Sequence, residues 1–157
     1  MTIAVFDIDG VVADVRHRLH HIEGPGRRSW NAFFRAAGKD DLLPEGARLV
    51  ADLATEHEIV WLTGRPEWIR NITRAWLDRQ GLPDGDLLMR PDGDYRPAAS
   101  YKLEELRRLG PRGIAGFVDD DAEVVQAAVA AGFPAVFADW LPRDRALREA
   151  QDKLGRT

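Results

Sequence analysis

Cysteine is absent from the 157-residue chain, which removes disulfides, thiol nucleophiles and thiolate metal sites together. Serine is almost as scarce. Ser29 and Ser100 are the only two, and neither stands in a Gly-x-Ser-x-Gly setting, so a serine-hydrolase elbow is excluded. No apolar run approaches the ~18 residues that a membrane-spanning helix needs. The opening MTIAVFDIDG lacks the basic end and small-residue cleavage site of a secretory leader, and the expectation is a cytoplasmic protein with no membrane partner. Internal repeats of 20–50 residues and low-complexity tracts are also missing. What is present is an ordinary globular composition, 45% hydrophobic and 31% charged, with a formal charge of −4. That charge opposes non-specific coating of nucleic acid, although a local basic groove remains compatible with it.

The first apolar run, Ile3 to Phe6, reads as a buried strand that stops at Asp7-Ile8-Asp9-Gly10. Carboxylates alternating across one residue can face the same side. They then either hold a divalent cation through oxygen or divide labour as nucleophile and acid/base. Further strands are expected at His57 to Leu62, Asp86 to Met89, Ile114 to Val118 and Pro134 to Phe137. Helices are expected at Glu45 to Glu56, from Pro66 to near Gly81, at Tyr101 to Leu109, Ala122 to Ala131 and Arg143 to Leu154. Strands and helices alternating at this spacing imply an α/β fold with a mostly parallel sheet covered on both faces. Residues 14–43, with a Gly-Pro-Gly break at 24–26 and a short helix around Trp30 to Phe34, form a small cap-like insertion in one domain spanning 1–157.

Three strands end in polar residues: Asp7 and Asp9, then Thr63-Gly64-Arg65, then Asp119, Asp120 and Asp121. Parallel strands bring all three ends to one edge, where ligands bind in open α/β sheets. With Lys102 at the start of a later helix, the set holds carboxylates, a hydroxyl and cations. Carboxylates hold Mg²⁺, the hydroxyl and helix-terminal amides meet phosphate oxygens, and lysine or arginine offsets the growing charge.

The order DxDGV, LTGR, Lys, DDD resembles the four motifs of the haloacid dehalogenase superfamily, whose phosphatases work through an aspartyl-phosphate. The segments GDYRPAASYKLEEL and FVDDDAEVVQAAVAAGFPAVFADW are more specifically similar to the 3′-phosphatase domain of polynucleotide kinase-phosphatases. The resemblance implies a Rossmann-like five-stranded sheet of order 3-2-1-4-5. It implies Asp7 as nucleophile and Asp9 as acid/base. It places Mg²⁺ on Asp7, the Asp9 carbonyl and one of Asp119 or Asp120, with Thr63 and Lys102 gripping the phosphoryl oxygens. Gly64, Arg65 and, from the first loop, Arg18 or Arg16 would contact substrate, Arg18 being favoured by its spacing from Asp7. The implied substrate is a 3′-phosphorylated DNA or RNA end. A free nucleotide or another small phosphorylated metabolite is the alternative, and a phospho-receiver module is disfavoured because the middle strand ends in Met89. No Gly-x-x-x-x-Gly-Lys-Ser/Thr phosphate loop occurs, so any kinase partner is expected on a separate polypeptide.

Outside these motifs, His17, His20 and His21 have a spacing that could bind zinc but fits substrate contact or plain surface better. Trp68 and Trp76 are expected in the core at helical spacing, and Trp30 could stack on a base.

Overall fold

In the computed structural model, described for residues 1–23, 28–142, 145–152, 154 and 155, five parallel strands form one sheet. They are β1 (Ile3–Phe6), β4 (Glu58–Pro66), β5 (Asp86–Arg90), β6 (Ile114–Asp119) and β7 (Ala135–Phe137). Their order β5-β4-β1-β6-β7 is the expected 3-2-1-4-5 once the two short ribbon strands, β2 (Ala13–Asp14) and β3 (Asp41–Leu42), are counted separately. The first strand is therefore central, flanked by β4 and β6 in parallel register.

Alternation along β1 and β4 explains the two-sided burial. Ala4, Phe6, Ile59 and Trp61 enter one apolar cluster, whereas Ile3, Val5, Val60 and Leu62 enter the other. The first cluster is closed by Val50 of α2 (Pro44–Leu53), Trp76 and Leu77 of α3 (Arg70–Arg79), and Phe33 and Phe34 of α1 (Trp30–Arg35). The second is closed by Tyr101 and Leu106 of α4 (Ala98–Leu109) and by Val124 and Ala128 of α5 (Ala122–Ala130). Each fully buried side chain of this kind stabilises by about 1.5–3 kcal/mol before entropy is charged. The last helix is α6 (Arg145–Asp152); of the expected span, Arg143, Asp144 and Lys153 lie outside the described residues, as does the Gly24 to Gly26 break.

Several boundaries move. Strand β4 runs on through Pro66, and a 3-10 turn at Glu67–Ile69 precedes α3, so Pro66 ends a strand rather than opening a helix. Proline's fixed φ suits the extended exit equally well. Trp68 falls in that turn, off the helical face that buries Trp76, and is 43% exposed rather than core. The segment after β1 leaves through β2, passes a 3-10 helix at Arg16–His21, then α1 and a 3-10 turn at Ala36–Lys39, and returns through β3, which pairs antiparallel with β2. The segment from Ala13 to His21 is thus a short strand followed by a 3-10 helix.

Candidate active site

Asp7 follows β1 directly, and its backbone N–H donates to the Val118 carbonyl of β6 at 2.9 Å, carrying the sheet one residue further. The chain then turns tightly. Val12 and Ala13 amides donate to the Ile8 carbonyl, and Gly10 adopts φ +77°, a left-handed conformation that glycine accepts without strain. A Cβ at residue 10 would lie 1.9 Å from Asp120 Oδ2, so the glycine is also what lets the acidic turn after β6 close on the turn after β1.

Asp7, Asp119 and Asp120 are all buried and offer carboxylate oxygens within 4.8 Å of one another. Among the described residues this is the group of acids able to share a metal ion. Lys102, also buried, reaches in from the first turns of α4. Its ammonium donates to Asp119 Oδ2 at 2.6 Å and stands 3.1 Å from Asp7 Oδ2, an ion pair without hydrogen-bond geometry. Asp119 Oδ1 accepts from the Asp121 amide at 2.9 Å, so both its oxygens are engaged. Asp121 in turn caps α5, accepting from the Glu123 amide.

Burial pushes the Asp7 carboxyl up to about 7, against the pull of Lys102 and with the help of Asp119 and Asp9. Burial likewise raises Asp119, against Lys102. For Lys102 burial acts downward, but the carboxylates of Asp119 and Asp7 win and hold the ammonium above its usual range. A cation pinned between two carboxylates stays charged.

Asp9 faces a different environment. Its Oδ1 accepts from Arg65 Nε at 2.9 Å and Nη2 at 2.7 Å, and from Arg18 Nη2 at 3.0 Å, while Oδ2 is buried with no hydrogen-bond partner. Burial raises its carboxyl, but Arg65 and Arg18 outweigh burial and hold it below the usual carboxylate range. The two acids of the DxD turn are therefore unequal: one is pushed towards protonation, the other held ionised.

Sequence reasoning missed the residue that ties this second half together. Asp40, fully buried, accepts from Arg18 Nε at 2.8 Å and Nη2 at 2.9 Å and from Arg65 Nη2 at 3.0 Å; His17 Nε2 lies 2.6 Å from its Oδ1. The Trp76 indole donates to its backbone carbonyl at 2.8 Å, fixing the loop against α3. Arg18 and Arg65 are thus completely buried and face Asp9 and Asp40 rather than open surface. Arg16, by contrast, is exposed and bound to Asp14. Thr63 is buried, and its Oγ1 accepts from the Arg65 amide at 3.1 Å across Gly64, shaping the end of β4 instead of capping a helix. The His20 and His21 rings lie tilted against each other, with centroids 4.0 Å apart, and join no metal-type cluster among the described residues.

The acids suit a hard cation. Carboxylate oxygens are magnesium donors, there is no sulfur in the set, and Asp7 Oδ2 is buried with no hydrogen bond of its own. The chemistry such an arrangement supports is phosphoryl transfer: a buried carboxylate beside a fixed ammonium, and a neighbouring carboxylate with one oxygen free of hydrogen bonds.

Comparison with known proteins agrees with this. Residues 1–136 match the family model of the polynucleotide kinase PNKP phosphatase domain. Two similar solved structures are a Pnkp1/Rnl/Hen1 complex (TM-score 0.71, 24% identity, 88% of this chain and 45% of that one) and the Pnkp1/Rnl/Hen1 RNA repair complex (0.72, 23%, 87% and 42%). The chain spans less than half the length of those proteins. The fold is also shared with a haloacid dehalogenase-like hydrolase of Streptococcus pneumoniae (0.60, 14%, 98% and 92%) and with magnesium-bound YfnB of Bacillus subtilis (0.59, 12%, 87% and 87%). No curated protein matches.

Proposed function

The chain belongs to the polynucleotide kinase PNKP phosphatase-domain family of haloacid dehalogenase phosphatases, and from that premise we propose that it is a Mg²⁺-dependent phosphomonoesterase that removes 3′-phosphates from nucleic-acid ends. The observation that carries the reading is the different surroundings of Asp7 and Asp9. One touches Lys102 and groups with Asp119 and Asp120; the other is anchored through a single oxygen by two arginines.

In the first half-reaction an Asp7 carboxylate oxygen attacks phosphorus in line, the bond from phosphorus to the 3′-oxygen breaks, and that oxygen takes a proton from Asp9 Oδ2. In the second, water gives a proton to Asp9 and attacks the aspartyl-phosphate, which releases inorganic phosphate and restores Asp7. Arg18 and Arg65 hold Oδ1, so Oδ2 is the oxygen that carries the proton. An arriving phosphate dianion beside Asp9 raises its pKa by like-charge repulsion, against the arginines, and so supplies the protonated form when it is needed. The Lys102 ammonium and the Thr63 hydroxyl bind the phosphoryl oxygens. Asp7, Asp120 or Asp119 and the Asp9 carbonyl would hold Mg²⁺, which would supply charge neutralisation on the phosphoryl group. Gly64 brings its backbone close to the phosphoryl group, and Arg16 meets the nucleic-acid backbone at the surface. Arg18 and Arg65 act on the substrate through Asp9, with Asp40 as their counter-charge. A kinase activity would come from a separate polypeptide or segment.

Rapid acid quenching during turnover of a 3′-phosphorylated oligonucleotide tests the covalent step. A phosphate mass on the Asp7 peptide, lost in Asp7→Asn, is expected; an unmodified Asp7 in a turning-over enzyme contradicts it.

A further inference from the structure

Beside the acidic site, on the same edge of the sheet, lies a cavity of about 130 Å³ lined by Trp30, Phe34, Trp68, Tyr95, Arg90 and Asp92. Pro66 and Arg90, the last residues of β4 and β5, are among its lining residues. With β5 two strands from β1, the strand that ends at Arg90 is offset across the sheet by about 10 Å from the strand that leads into Asp7.

Its walls are aromatic and ordered. Trp30 stacks on Phe34 with centroids 6.1 Å apart, and Phe34 meets Trp68 edge-on at 6.2 Å. The Trp68 amide donates to Asp92 Oδ1 at 3.2 Å, which ties the turn after β4 to the loop after β5. Arg90, buried, holds that loop by donating to the Arg96 carbonyl at 2.8 Å. Yet Trp68 is 43% and Tyr95 57% exposed, so two large rings stay open to solvent in an otherwise well-packed region.

The cavity is joined to the chemistry by contacts. The Arg18 guanidinium, bound to Asp9, lies 4.3 Å over the Phe33 ring, and Phe33 packs edge-on against Phe34 at 5.4 Å. One short helix, α1, therefore buttresses the acid/base with one aromatic and walls the cavity with the next.

We propose that this cavity stacks an unpaired nucleobase of the substrate strand, upstream of the scissile 3′-phosphate. This rests on the phosphatase reading above and extends it to how a polynucleotide end is told from a small phosphate ester. A flat ring is the occupant the observations favour. A cavity of this size is close to that which holds one benzene ring. Asp92, in its lining, opposes a phosphate and can accept a hydrogen bond from a base amino group, whereas Asp94 is already paired with Arg96. Arg35, 5.6 Å over Trp68, adds a cation for the sugar-phosphate backbone outside. Stacking on exposed aromatics is tolerant of sequence, as repair of arbitrary ends requires.

The test compares a single-stranded tetranucleotide 3′-phosphate with the same chain in which the upstream bases are replaced by abasic sugars. Fluorescein anisotropy on Asp7→Asn protein is expected to give about tenfold tighter binding for the base-bearing strand. The kcat/KM ratio of the two substrates on wild-type enzyme is expected to favour bases by a similar factor. Trp68→Ala should collapse both ratios towards one, and Trp68→Phe should restore most of the difference; because each is a ratio within one variant, a general loss of fold does not mimic it. Equal handling of both strands by wild-type protein, or ratios unmoved by Trp68→Ala, overturns the proposal. Binding discrimination in a protein that hydrolyses no phosphomonoester would overturn the phosphatase reading alone and leave the base site standing.

Discussion

Arg65 places two nitrogens on a single oxygen of Asp9, at 2.9 and 2.7 Å, and leaves the other oxygen of that carboxylate with no hydrogen bond. The fork anchors the Asp9 carboxylate and, with Arg18, holds it ionised. Lysine has no second donor in the same plane, so Arg65→Lys should lower kcat by about 10–100-fold, the range for lost supporting contacts around a reactive group. Arg65→Met, which also removes the charge, should let burial raise Asp9. The basic limb of the pH–kcat profile, where protonated Asp9 is lost, then moves to higher pH. Steady-state kinetics from pH 5 to 9 read both effects.

Asp40 is the buried counter-charge for Arg18 and Arg65. Asp40→Asn keeps the shape but leaves two guanidinium groups sharing only Asp9. Breaking a buried ion network of this kind costs about 3–5 kcal/mol, and urea denaturation should show a loss near that size. An unchanged midpoint would mean the network contributes nothing to stability.

Asp7 should make the metal-free protein less stable as pH rises. Its folded carboxyl lies at about 7 against an ordinary 3.8, mainly through burial. Between those values the folded state holds a proton that the unfolded state has lost, so stability falls as pH rises through the window, and the full cost is present above it. In EDTA at pH 8, Asp7→Asn is expected to raise Tm by about 3–9 °C, corresponding to about 1–3 kcal/mol, and the gain should vanish near pH 4. Calorimetry at the two pH values checks the sign.

Gly10→Ala should weaken Mg²⁺ binding without replacing any carboxylate. The new Cβ meets Asp120 Oδ2 and also suffers from the positive φ, so the acidic turn must retreat. The Mg²⁺ concentration for half-maximal activity is expected to rise at least about tenfold, with saturating Mg²⁺ recovering part of the rate.

Much of this was legible in the chain because strands that end in acids are conspicuous. Asp7, Thr63 and Asp119 each close an apolar run, and parallel pairing does the rest. Lys102 was legible only as a motif residue; that it would sit between Asp7 and Asp119 is a product of how α4 packs. Asp40 was not legible, because Lys39-Asp40-Asp41 reads as a solvated charge run and its burial comes from β2–β3 pairing and the Trp76 indole. Trp68 departs from its sequence expectation for a related reason: helical spacing does not hold through the 3-10 turn, where the ring emerges at the surface.

The most direct test of the central claim is phosphate release, with Mg²⁺ and with EDTA, from matched 3′-phosphorylated and 5′-phosphorylated oligonucleotides, nucleoside monophosphates and sugar phosphates. The expected result is Mg²⁺-dependent release from the 3′-phosphorylated oligonucleotides at least about tenfold above every other substrate, abolished by Asp7→Asn. Release that ignores chain length and phosphate position, or that survives Asp7→Asn, would contradict it.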